Sequence, residues 1–123
     1  MRAIRQDLVE NLAIEKGSLW DQLIILIKGD YTSLSCRGQI RDEEDGELYA
    51  NFQFEPLITV TRNGEVYTRV RPYLGATRTK SLPTTKPRQF WKYDIELFND
   101  LNQDIVYRLA LGDVEVSLNI TLP

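Results

Sequence analysis

Hydrophobic and polar residues alternate along most of this chain with a period of two, the spacing of a strand whose faces meet different surroundings. The pattern is clearest at residues 48–55, where Leu48, Ala50, Phe52 and Phe54 point one way and Tyr49, Asn51, Gln53 and Glu55 the other. Residues 89–98 repeat it, with Trp91, Tyr93, Ile95 and Leu97 against Lys92, Asp94 and Glu96. Residues 36–41 set Cys36, Gly38 and Ile40 against Arg37, Gln39 and Arg41. Ile105, Tyr107, Leu109 and Leu111 define a further strand, and Val114, Val116, Leu118, Ile120 and Leu122 the last, with Gly112-Asp113 expected to turn between them. One segment departs from alternation. Leu23-Ile24-Ile25-Leu26-Ile27 is too apolar for one-sided burial, so residues 20–28 predict a central strand covered on both faces.

Turn residues separate these runs. Asn63-Gly64 lies between residues 58–62 and 65–70, and Asn-Gly between such runs is the strongest short hairpin signal. Glu15-Lys16-Gly17-Ser18 closes a short strand at 12–14, Gly29-Asp30 follows the apolar run, and 99–104 reads as a long turn. Residues 73–87 form a loop with at most one short helical turn near 77–81. The chain therefore predicts an all-β domain spanning 1–123, an immunoglobulin-like β-sandwich of about 7–9 short antiparallel strands, with a small barrel as the alternative. The Cys–Trp–Cys pattern of antibody domains is absent, so that likeness is architectural only.

At 123 residues, 42% hydrophobic and 27% charged, the chain fits one ordinary domain with a core of its own. It has no histidine, so the commonest general base near neutral pH is missing. Cys36 is its one cysteine, excluding an intrachain disulfide and zinc sites of the Cys₄ or Cys₂His₂ type. A lone thiol suits folding in a reducing cytoplasm. The first residues lack the apolar stretch of a signal peptide, and the longest apolar run is five residues, far short of a membrane span.

The acidic run Asp42-Glu43-Glu44-Asp45-Gly46 offers oxygen ligands but not the spacing of an EF-hand, and reads as a solvated turn. Asp94 and Glu96 are read as outward polar residues, and Cys36, with no base to activate it, as a structural thiol. Ser33 and Ser35 likewise lack a base, and the scattered glycines make no phosphate loop. No catalytic, cofactor or metal residues are expected.

Charge is uneven. Residues 62–92 hold Arg62, Arg69, Arg71, Arg78, Lys80, Lys86, Arg88 and Lys92 against Glu65, a balance of +7, whereas residues 93–115 balance to −5. Net charge is −3. A nucleic-acid partner is therefore not expected, and complementary subunit contacts are, with Arg62, Arg69, Arg71, Arg88 and Lys92 as the candidate interface. Exposed edge strands and an apolar C-terminal strand point to a homo-oligomer as well.

Several segments, taken in order, resemble a family of small virion proteins of tailed bacteriophages, including the immunoglobulin-like module of baseplate and tail-fibre proteins. They are Gln6-Asp7-Leu8, Ile14 through Trp20, Leu34 through Arg41, Ser81-Leu82-Pro83, Tyr93-Asp94-Ile95-Glu96-Leu97, and Val106 through Val116. The departures fall in loops, at 30–34, 63–64 and 84–88. The resemblance implies a non-enzymatic structural role in a phage particle, as a connector of the baseplate or tail fibre. It also implies no cofactor, other phage structural proteins as partners, a trimer, and location in the virion after synthesis in the host cytoplasm. A capsid decoration protein is the alternative within that class. Tyr49, Tyr67, Tyr73 and Trp91 support a rival expectation, a carbohydrate-binding module with aromatic side chains stacked on sugars.

Overall fold

The computed structural model describes residues 2–3, 8–42, 46–83 and 88–118, with backbone alone at 2, 3, 8, 88 and 89. Twelve strands and one helix follow in the order β1 Arg2–Ala3, β2 Leu8–Val9, β3 Leu12–Glu15, β4 Ile25–Lys28, β5 Ser35–Arg41, β6 Leu48–Asn51, β7 Gln53–Phe54, β8 Ile58–Arg62, β9 Glu65–Val70, β10 Pro72–Tyr73, α1 Ala76–Lys80, β11 Arg88–Asn99 and β12 Asn102–Ser117. A four-stranded sheet runs β1-β4-β9-β8, and a six-stranded one runs β2-β12-β11-β5-β6 with β3 also on β12. Ile25, Ile27 and Val70 of the first sheet and Ile40, Ile95, Leu97, Val114 and Val116 of the second share one buried cluster. The fold is an all-β sandwich, as the alternation predicts.

Its strands are more numerous and less uniform than expected, and not all antiparallel. β2 and β3 run parallel to β12, and β1 parallel to β4. The alternating run at 48–55 breaks at Phe52, whose N–H donates to the Gly38 carbonyl at 2.9 Å. Its ring then packs against Trp20 and Tyr93, at 5.6 and 6.0 Å between centroids. Gly38 makes the room, since a Cβ there would lie 3.0 Å from that ring and 2.9 Å from the Asp94 carbonyl oxygen. Of 20–28 only Ile25–Lys28 is strand, but it is central in its sheet, and Ile25, Leu26 and Ile27 are all buried.

Gly112-Asp113 is not a turn. β12 runs straight through it, opposite Tyr93 and Lys92 of β11. The sequence switches its buried parity from odd to even near here, and a turn explains that as well as a bulge does. The register supplies the bulge: Ile95 pairs with Ala110 and Glu96 with Arg108, leaving Leu109 extra. Leu109 and Ala110, adjacent in sequence, are consequently both fully buried. The expected long turn at 99–104 shrinks to Asp100-Leu101, closing the hairpin on the Asn99–Asn102 pair.

Two buried threonines fix the loops at the ends of the sheets. The Thr68 hydroxyl donates to the Gly29 carbonyl at 2.8 Å and accepts the Tyr31 N–H at 2.8 Å. The Thr79 hydroxyl, on α1, donates to the Ser18 carbonyl at 2.8 Å and accepts the Gly17 N–H at 3.0 Å. Each satisfies two loop groups that would otherwise be desolvated without a partner. The expected Asn63-Gly64 hairpin forms with both residues at positive φ, +52° and +78°, the conformation of a type I′ turn.

Candidate functional site

The basic segment 62–92 does not form one surface. Arg62 lies at the exposed end of β8, Arg69 and Arg71 on or just after β9, and Lys92 on β11 in the other sheet. Arg88 begins β11, and its side chain lies outside the described residues. The half-buried Arg71 pairs with Asp21 at 3.3 Å and Glu55 at 3.0 Å, and Arg69 approaches Glu55 at 3.9 Å. Lys92 pairs with Asp113, its register partner across β11 and β12. Arg69, Arg71 and Lys92 thus take counterions from Asp21, Glu55 and Asp113, all outside 62–92. The acidic segment behaves alike, because Glu96 pairs with Arg37. Lys92–Asp113 is the pair that joins the two segments within one chain.

The outward face of the six-stranded sheet carries a depression of about 470 Å³ over β5, β11 and β12. Its position follows from register: Gln39, Asp94 and Leu111 lie side by side on three adjacent strands, pointing away from the core. Arg41, anchored by two hydrogen bonds to the Gln39 Oε1, and Arg108 flank the Asp94 carboxyl. Burial holds the Asp94 carboxyl above the usual range, and Glu96 pushes the same way, against the pull of Arg108, Arg41 and a backbone hydrogen bond at Gln39. The expectation of a plain outward carboxylate pair needs that amendment. Asp94 is partly desolvated, and Glu96 belongs to Arg37. Two guanidinium groups around one partly desolvated carboxylate can hold a small polar ligand. Sequence reasoning passed over this set because Arg41, Asp94 and Arg108 come together only through strand register.

Among the described residues, no group of three or more Cys, Asp or Glu side chains could hold a metal ion. Residues 43–45 of the acidic run lie outside the described residues. Cys36 is half-buried and its thiol is pushed up to about 12 by burial, a structural thiol rather than a nucleophile. Of the aromatic set, Trp91 is buried in the core with Tyr49 against it at 4.3 Å between ring centroids. Trp91 therefore offers no open face to a sugar. No helix among the described residues is long and apolar enough to cross a membrane.

No protein-family model and no curated protein matches the chain.

Proposed function

We infer that this chain is a non-enzymatic structural protein of a tailed-phage particle, a connector or assembly module of the baseplate or tail fibre. One observation carries the reading: the described segments that resemble the phage family belong to the framework of the sandwich, while Gln6 and Asp7 lie outside the described residues. Ile14 through Trp20 runs from the last two residues of β3 through the turn held by Thr79, Leu34 through Arg41 contains β5, and Leu82 is buried just after α1. Residues 93–97 and 106–116 are the paired centres of β11 and β12. The departures at 30–34 and 63–64 lie in loops, where partner choice is written on such scaffolds, and 84–87 lie outside the described residues. Partners on this reading are other phage structural proteins and further copies of the chain.

Immunogold labelling of purified particles with antibody to this chain tests the reading. Label at the tail tip is the expected result. Label on the capsid shell transfers the chain to decoration, and label confined to the host cytoplasm refutes a virion role.

A further inference from the structure

The other edges of the sandwich are short, irregular or charged. Among the described residues, β1 and β2 are two residues each, β3 is four and carries Glu15, and β6 is four with its register broken between Ile40 and Arg41. The outer side of β12 over 102–109, which no described strand pairs, carries Asp104 and Arg108 and ends in the bulge at Leu109. β8 differs. It is five residues, Ile58-Thr59-Val60-Thr61-Arg62, regular throughout against β9, and last in its sheet among the described residues. It holds no proline or bulge, and its one charged residue, Arg62, sits at the end beside the turn.

Register shows what that edge presents. The two-residue Asn63-Gly64 turn makes Arg62 and Glu65 a mutually bonded pair, so Val60 and Ile58 also bond inward to β9. Val66, opposite Thr61, accordingly turns its carbonyl away from β8 and accepts the Gly29 N–H at 2.8 Å. By the same alternation Thr59 and Thr61 direct their N–H and C=O groups to the open edge. Their side chains are exposed, although they lie on the face that buries Thr68 on the neighbouring strand, and Ile58 and Val66 leave apolar surface on opposite faces. Toward its turn the hairpin is exposed on both faces, and among the described residues no strand pairs with the outer edge of β8.

We propose that β8 is a strand-addition edge whose occupant is β8 of a second copy of this chain, antiparallel across a two-fold axis at Val60. That register is selected by the free groups. It sets Thr59 against Thr61 of the other copy, so all the outward donors and acceptors of both residues are used, four hydrogen bonds in all. Val60 then faces Val60 across the axis, and Arg62 faces Ile58, so no like charges meet. A two-fold contact is self-complementary and joins two copies, not the three that the family resemblance implies. The inference extends the assembly reading but does not depend on where in a particle the chain works, and solution association can fail while particle labelling succeeds.

Sedimentation equilibrium of the full chain from micromolar to millimolar concentration decides it, with far-UV circular dichroism confirming that each variant is folded. The expected result is a monomer–dimer equilibrium. T59K/T61K sets lysines against lysines across the pair and should weaken association roughly tenfold or more. T59K/T61E sets lysine against glutamate in this register alone and should restore it. A monomer throughout, a trimer, a dimer indifferent to T59K/T61K, or a failure of T59K/T61E to restore overturns the proposal. In the unaltered chain, hydrogen exchange at the Thr59 and Thr61 amides should slow with rising concentration, and exchange independent of concentration counts against it equally.

Discussion

Tyr93 and Gly112 stand directly opposite one another on β11 and β12, and the carbonyl of Glu10 closes on both. The Tyr93 hydroxyl donates to that oxygen at 2.6 Å, and a Cβ on Gly112 would lie 2.3 Å from it. Glycine admits the backbone and tyrosine ties it down. The link between β2 and β3 is thereby held to the large sheet, with the Asp113 N–H donating to Asn11 Oδ1 at 3.2 Å beside it.

Gly112→Ala should therefore be among the most damaging single changes, because φ there is +157° and the added carbon meets backbone that has nowhere to go. The expected loss is about 2–4 kcal/mol from strain and overpacking together. Tyr93→Phe removes only the hydrogen bond and should cost about 0.5–1.5 kcal/mol. Urea melts compare the two, and equal losses would mean that the close approach is not what Gly112 serves.

Thr68→Val keeps the shape of a buried side chain but strands the Gly29 carbonyl and the Tyr31 N–H. A loss of about 1–3 kcal/mol is expected, the cost of leaving buried polar groups unpaired. Thr61→Val, exposed on the neighbouring strand, should stay within about 0.5 kcal/mol. Thermal denaturation at low protein concentration separates them.

Ile95 is fully buried and Glu96 next to it faces outward toward Arg37. Ile95→Ala should cost about 2–5 kcal/mol. Glu96→Ala should cost no more than about 1 kcal/mol, since the Arg37 partner is more than half exposed. Comparable shifts in urea midpoint would contradict the assignment of faces on β11.

Asp94 ionises less readily in the folded chain than in the unfolded one. The sign follows: its contribution favours folding below the unfolded carboxyl value and is lost as pH rises through the folded one. Asp94→Asn should then stabilise the chain near neutrality, with the gain vanishing at about pH 3, where an unfolded aspartate is mostly protonated. Stability measured across that range checks it, and a variant less stable at neutral pH than at acid pH, relative to the parent, would reverse the sign assigned to burial.

The Cys36 thiol, raised to about 12, should resist alkylation in the native chain and react on unfolding. Iodoacetamide at mildly alkaline pH ought to label native protein at least about a hundredfold more slowly than protein in denaturant. Equal rates would show the thiol to be open to solvent.

What the sequence made legible is what alternation and local turn chemistry encode. The inward row Trp91, Tyr93, Ile95 and Leu97, the Asn63-Gly64 hairpin and a helical turn near α1 all follow from neighbours in the chain. Long-range register does not. The shift of buried parity around Leu109 was visible, but a bulge and a turn produce the same shift, and only the pairing of Ile95 with Ala110 and Glu96 with Arg108 separates them. The charge tallies do not show ion-pair partners for the same reason, since Arg71 finds Asp21 50 residues away and Lys92 finds Asp113 across a hairpin. Asp94 read as a surface carboxylate because nothing near it in sequence announces Arg41 or Arg108.

The parallel docking of β2 and β3 has a consequence for how the chain is made. Asn11 meets Asp113 across 102 positions, and the Lys16 N–H reaches the Ser117 carbonyl at 2.9 Å. A ribosome releases Leu12 and Ile14 about a hundred residues before their partners Val114 and Val116. Throughout elongation those two apolar side chains and their strand have no mate. The β8–β9 and β11–β12 hairpins, each closed by a short turn, can assemble as they emerge, whereas the N-terminal strands wait for a long loop to close, the slow kind of event in folding. Birth order and assembly order therefore run opposite ways for β3, and a nascent chain stalled before Val114 would carry it as a sticky, unclaimed strand.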